Sequence, residues 1–230
     1  MMKKTLIAAA LATVSLPSVA EISGNVALTT DYRFRGISQT DRNPAIQGGL
    51  DYNHESGFYI GTWGSNVDFA GSLELDYYAG FASDINDSLS FDVGAIYYDY
   101  PGGGGNIEFW EIYGGLSGDL GPVSLSGRVS YTDDYFDSTG TAWYSELGAS
   151  YELPAEFSLN GHYGYQTIDD GDKFFSSNTD NYSDWSIGVS KSMWDLDFDL
   201  SYVDTDLSKG DCYSSKICDS TVIFSISKSL

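Results

Sequence analysis

The strongest constraint on this chain is an alternation of period two that returns in segment after segment. Val123, Leu125, Gly127, Val129 and Tyr131 interleave with Ser124, Ser126, Arg128 and Ser130. Leu73, Leu75 and Tyr77 interleave with Glu74 and Asp76, and Leu196, Phe198, Leu200 and Tyr202 with Asp197, Asp199 and Ser201. Phe157, Leu159, Gly161, Tyr163 and Tyr165 alternate with Ser158, Asn160, His162 and Gly164, and Val222, Phe224 and Ile226 with Ile223, Ser225 and Ser227. Successive side chains of a strand point to opposite faces, so this pattern specifies sheet with one apolar and one polar face. Composition agrees, with 18 Tyr, 12 Phe, 5 Trp and 26 Gly against 5 Pro and 3 Met. Aromatic residues favour strands.

The pattern divides residues 21–230 into twelve strands, at 22–35, 45–54, 58–67, 73–84, 89–100, 107–117, 123–134, 141–153, 157–168, 182–193, 196–206 and 220–230. Most exceed the roughly 9–11 residues of a tilted membrane-crossing strand. Ordinary globular strands average about 5–6. The connections alternate in length. Those at 54–57, 86–88, 118–122, 154–156 and 194–195 are short; those at 36–44, 101–106, 135–140, 169–181 and 207–219 are longer and polar, and only 69–72 is brief in that second set. Short turns at one rim and long loops at the other belong to bacterial outer-membrane barrels, with periplasmic turns and extracellular loops. The expected fold is an all-β, transmembrane, antiparallel up-and-down barrel of about twelve strands.

Residues 1–20 read as a signal peptide. Lys3 and Lys4 precede a short apolar run, and Ser18, Val19 and Ala20 supply the small residues of a cleavage site. The run is too short for a spanning helix, which needs about 20 residues. The division expected is signal peptide 1–20 and barrel 21–230. Export leads to an oxidising compartment, in which Cys212 and Cys218, six positions apart in a polar loop, should form a disulfide. The alternative of a two-Cys metal site has no His nearby to support it.

Formal charge is −22, and removal of Lys3 and Lys4 makes it two more negative. A surface so acidic argues against nucleic acid as partner, because phosphate neutralisation requires Lys and Arg clusters. Disorder does not fit 42% hydrophobic and 15% aromatic content. Expected partners are outer-membrane lipid, small hydrophilic solutes and, during biogenesis, the barrel-assembly machinery. The sequence calls for no cofactor and no metal: the Asp- and Asn-rich loops lack the ligand spacing of a calcium loop.

Parity nominates the side chains that line the lumen: Asp31, Arg33, Arg35, Gln47, Asp51, Glu74, Asp76, Asp92, Glu111, Arg128, Glu146, Asn160, His162, Gln166, Asp197 and Asp199. Aromatics near strand ends, among them Tyr32, Phe34, Phe58, Tyr97, Tyr131, Tyr151, Tyr165 and Tyr202, suit interfacial girdles. An excess of lumen carboxylates would select cations or zwitterions, with the three Arg forming an opposing side or internal salt bridges. Eight strands enclose a filled interior and 16–18 leave a water channel, so about twelve leave room for a narrow pore or for a plugged, structural barrel displaying acidic loops. A third reading, an outer-membrane enzyme, has only His54 and His162 as candidate bases and no motif behind it.

Several ordered stretches carry a family resemblance: ISGNVALTTDYRFRGISQT (22–40), NPAIQGGLDY (43–52), GFYIGTWGSNVDF (57–69), ELDY (74–77), EIYGGL (111–116), GVSK (188–191), LSYVDTD (200–206) and VIFSISKS (222–229). Together they make the chain similar to the TorF-type porin family, a group long catalogued as conserved bacterial proteins of unknown function. The resemblance covers the chain beyond the signal peptide and implies an outer-membrane barrel without implying a substrate. One departure is the terminal Leu230, where such barrels commonly end in an aromatic residue.

Overall fold

A computed structural model describes residues 21–230; the expected signal peptide, 1–20, lies outside the described residues. The wall is a closed antiparallel barrel of β1 (Glu21–Thr29), β4 (Ala45–Asn53), β5 (Phe58–Asn66), β6 (Leu73–Asn86), β7 (Leu89–Asp99), β8 (Phe109–Leu120), β9 (Val123–Thr132), β10 (Ala142–Leu153), β11 (Phe157–Ile168), β12 (Asn181–Met193), β13 (Leu196–Thr205) and β14 (Thr221–Ser229). Strands adjacent in this series pair along the wall, and β1 closes it against β14. The twelve expected strands are therefore present. The main boundary difference lies in the first one: β1 leaves the wall at Thr29 rather than Arg35. The chain from 30 to 44 instead forms a strap containing a small ladder of β2 (Arg33–Phe34) and β3 (Ile37–Ser38).

Both termini and the short turns share one end. Its hairpins are tight: Trp194 and Asp195 both adopt positive φ (57° and 58°), as a two-residue turn matching strand twist requires. The longer loops, 67–72, 100–108, 133–141, 169–180 and 206–220, gather with the strap at the other end. The loop 169–180 contains the short helix α1 (Gly171–Phe174).

Exposure follows parity. Leu147 is 65% exposed while Gln166, inside the same pair of strands, is fully buried. Ile22, Leu50, Ile60, Leu116, Ile187 and Val222 are likewise exposed around the circumference. Water-soluble surfaces rarely leave apolar patches above a few hundred Å². A continuous apolar belt is stable only against hydrocarbon. Toward the long-loop end the belt meets outward aromatics paired across strands: Tyr77 with Tyr97, Tyr97 with Trp110, and Tyr131 with Trp143. Near the short turns, Phe58 packs edge-on against Phe81 at 4.9 Å. Of the aromatics expected in the girdles, Tyr32 and Phe34 are elsewhere, because they belong to the strap and turn inward.

The long-loop end holds a core of the kind found in soluble proteins. Ile37 of the strap, Tyr100 and Ile107, Tyr135, Phe175, Cys212 and Cys218 from four loops, and Tyr98, Phe109, Ile168 and Tyr182 from strand ends are buried together. Phe69 joins its edge, 5.5 Å from Tyr100. Cys212 and Cys218 form the expected disulfide. The mouth is thus roofed by side chains from all of the long connections.

Candidate functional site

Below the roof, the lumen is built from polar side chains on inward parity. Asp51, Glu74, Asp76, Asp92, Glu111, Arg128, Glu146, His162, Asp197 and Asp199 all lie on wall strands. Asp31, Arg33 and Arg35 reach the interior differently, from the strap. Gln47 lies within 3.4 Å of Ser65, and Asn160 bridges Ser150 and Ser190.

The strap is pinned by three sets of contacts. Arg33 donates from Nε to Asp31 at 2.8 Å and from Nη1 to the carbonyls of Gly36 and Ile217 at 2.8 and 2.7 Å, tying the strap to the disulfide loop. Burial lowers the pKa of Arg33, with Asp31 acting in the opposite direction. Tyr32 donates to Glu74 Oε1 at 2.6 Å; burial raises its own pKa well above the usual range, so it acts as a neutral donor. Arg35 crosses the lumen to β8 and β11. Its Nη2 donates to both oxygens of Glu111 at 2.7 Å and its Nη1 to Gln166 at 2.7 Å. The guanidinium also lies 4.2 Å from the Tyr144 ring centroid and 4.7 Å from that of Phe34. Burial opposes the charge most strongly, but Glu111, Tyr135 and Tyr98 together outweigh it and hold Arg35 well above its usual pKa. The tip turns at Gly36, whose φ is +80°; a Cβ there would stand 2.4 Å from Thr205 Cγ2.

The wall carries further networks. Tyr59 donates to Asp92 at 2.6 Å and meets the Tyr113 hydroxyl at 2.5 Å, while Arg128 lies over the Tyr113 ring at 3.5 Å. Tyr78 donates to Asp51. On the facing side, Tyr144 donates to Asp184, which also meets His162 Nε2 at 2.9 Å; His162 Nδ1 lies 3.8 Å from Glu146. Asp197 and Asp199 accept from Ser192 and Ser201.

These tyrosines lie flat along the wall because glycine sits opposite them. A Cβ on Gly164 would be 2.1 Å from the Tyr144 hydroxyl, and one on Gly80 would be 2.3 Å from that of Tyr59. Sequence reasoning assigned strand-end aromatics to girdles and missed Tyr59, Tyr78, Tyr113 and Tyr144, together with Trp63 and Asp184. Their place on the polar parity, beside glycines of that same parity, was the available signal.

A closed barrel with an apolar belt, aromatic rims and a polar interior defines the class as a porin-like barrel of outer-membrane type. Within that class, the chain belongs to the Gcw_chp family, described as bacterial protein of unknown function, whose sequence profile matches residues 14–230. No curated protein matches the sequence. Among solved structures, the fold is similar to the KdgM porin, with TM-score 0.59, 8% identity, and 90% of this chain and 97% of that one covered. A KdgM porin in complex with disordered oligogalacturonate matches at TM-score 0.57 and 7% identity, over 90% of this chain and 96% of that one. The COG4313 outer membrane channel from Pseudomonas putida F1 matches at TM-score 0.56 and 11% identity, over 94% and 96%. At these identities the likeness is one of fold.

Proposed function

We propose that this protein is an outer-membrane channel of the TorF type, exported by a signal peptide at 1–20, that passes small hydrophilic solutes by diffusion and prefers cations or zwitterions. The observation that carries the reading is a closed wall whose outside is apolar and whose inside is lined by carboxylates, hydroxyls and amides. Arg33 and Arg35 are each engaged by a carboxylate, Asp31 and Glu111 respectively. Arg128 acts on Asp92, which leaves Asp51, Glu146, Asp197 and Asp199 to weight the lumen potential toward cations, which a narrow, low-dielectric passage focuses. The anionic oligogalacturonate bound by KdgM is not the kind of solute this interior favours. The His162 cluster reads as lining rather than catalysis, since both ring nitrogens face acids and the Tyr144 hydroxyl, 3.1 Å from Nε2, donates to Asp184.

The apolar roof supports a second reading, a structural barrel with a plugged lumen. Planar-bilayer recording separates the two. The channel reading expects discrete conductance, cation-selective at low salt, with selectivity falling as the Debye length shrinks from about 30 Å at 0.01 M to about 3 Å at 1 M. Absence of conductance from folded protein would establish the plugged barrel.

A further inference from the structure

Resting on the channel reading, we infer that Asp76 is the anionic half of a binding site for the ammonium or guanidinium group of a small organic cation. Asp76 lies on the inner face of β6 and is only 6% exposed, yet its Oδ1 has no hydrogen-bond partner. An unpaired buried carboxylate is costly unless a cation or a proton compensates it. Its neighbours deepen the deficit. Glu74 and Glu111 both act on it electrostatically, and the guanidinium of Arg35 is spent on Glu111.

The surroundings specify the kind of cation. Trp63 on β5 and Tyr98 on β7 are the cross-strand partners of Asp76 on either side; Tyr98 is stacked on Phe109 at 4.5 Å, so Trp63 is the aromatic that offers a face beside the carboxylate. Aromatic faces attract desolvated organic cations. A hard metal ion would instead need several oxygen ligands, and no group of three or more metal-binding side chains exists among the described residues. Tyr32 closes the site, packing edge-on to Trp63 at 5.3 Å while donating to Glu74. A solute therefore reaches Asp76 when this part of the strap lifts, and the hydroxyl of Tyr32 acts as its latch.

Calorimetric titration of the full barrel in detergent with propylammonium chloride, with n-propanol as the neutral control, tests the site. The inference expects saturable binding of the ammonium alone, weakened at least about tenfold by Asp76→Asn, weakened about three- to tenfold by Trp63→Leu, and tightened by Tyr32→Phe. Glu55→Gln, at an exposed position in the short turn 54–57, should bind as the parent does. Absence of binding to the parent, or equal binding by folded Asp76→Asn, would overturn the site and identify a proton as the compensating charge. If Asp76→Asn does not fold, unchanged affinity in Trp63→Leu overturns it equally. Bilayer recording on the same preparation keeps the two readings apart. Conductance without binding removes the site alone, and binding without conductance removes the channel alone.

Discussion

The mouth and the wall of this barrel solve opposite problems with the same residue types. In the wall, apolar side chains face outward, and Tyr78, Tyr59 and Tyr144 lie inside, against glycine, donating to Asp51, Asp92 and Asp184 respectively. At the mouth, tyrosine and phenylalanine turn inward and pack on one another, as Phe109 does on Tyr98 at 4.5 Å and Phe175 on Tyr182 at 5.6 Å. The wall is held by backbone ladders and lipid, whereas the mouth is held by an ordinary apolar core, a disulfide and the buried ion pairs of Arg33 with Asp31 and Arg35 with Glu111. Residue type alone does not determine which way an aromatic faces; the solvent outside the element does.

The comparison breaks first at Arg35. Arg35→Ala leaves Glu111 buried without its cation and should destabilise the mouth by about 3–5 kcal/mol. Hydrogen exchange should show lost protection in 30–44 and in the neighbouring loops while the β9–β12 ladders keep theirs. Uniform loss across the wall would show mouth and wall to be a single cooperative unit. The wall is tested by a neighbouring pair. Leu125→Arg places a charge toward lipid and should cost more than Ser126→Arg, which faces the lumen; such a lipid-facing charge costs about 2–4 kcal/mol at the bilayer midplane and less toward the rim. Urea titration of folding into lipid vesicles measures both, and equal costs would refute the assignment of faces.

The smallest effect concerns the outer loops. Hydrogen bonds from Ser177 and Ser208 lower the pKa of Asp211 to about 2. A carboxyl whose folded value lies below its ordinary 3.8 stabilises the fold above that ordinary value, and the contribution is lost as pH falls through about 2. Because the group is exposed and screened, the effect should stay below about 1 kcal/mol. Loop resonances of 206–220 followed by NMR should therefore shift between about pH 4 and pH 2 in the parent and not in Asp211→Asn. An unchanged pH response in the variant would assign the transition to another group.

Alternation made the wall legible, because a one-residue slip would carry every side chain to the wrong face. The disulfide was legible from spacing and the expected export. The strap was not. Asp31, Arg33 and Arg35 continue the parity of β1, so the sequence reads as strand through a point where the chain has already left the wall. What bends it inward is distant in sequence: Glu74 is 42 residues from Tyr32, and Glu111 is 76 from Arg35. Which carboxylates share the polar parity was readable, but their partners depended on which strands became neighbours. Asp76 shows that limit: its sequence pattern is that of Glu74, and only the surrounding side chains reveal that one is paired and the other is not.

The seam between β1 and β14 carries a consequence for the order of events in folding. Their ladder spans only Asn25 to Thr29 against Ser225 to Ser229, whereas β10 and β11 pair from Ala142 to Leu153 against Phe157 to Ile168. Every other wall contact joins strands that follow one another along the chain, so those hairpins form from near neighbours. The seam joins ends nearly the whole chain apart, and such non-local pairings are slow to be reached. Until that seam pairs, β1 and β14 each present a free strand edge, and a free edge is a template for pairing with another copy of the chain.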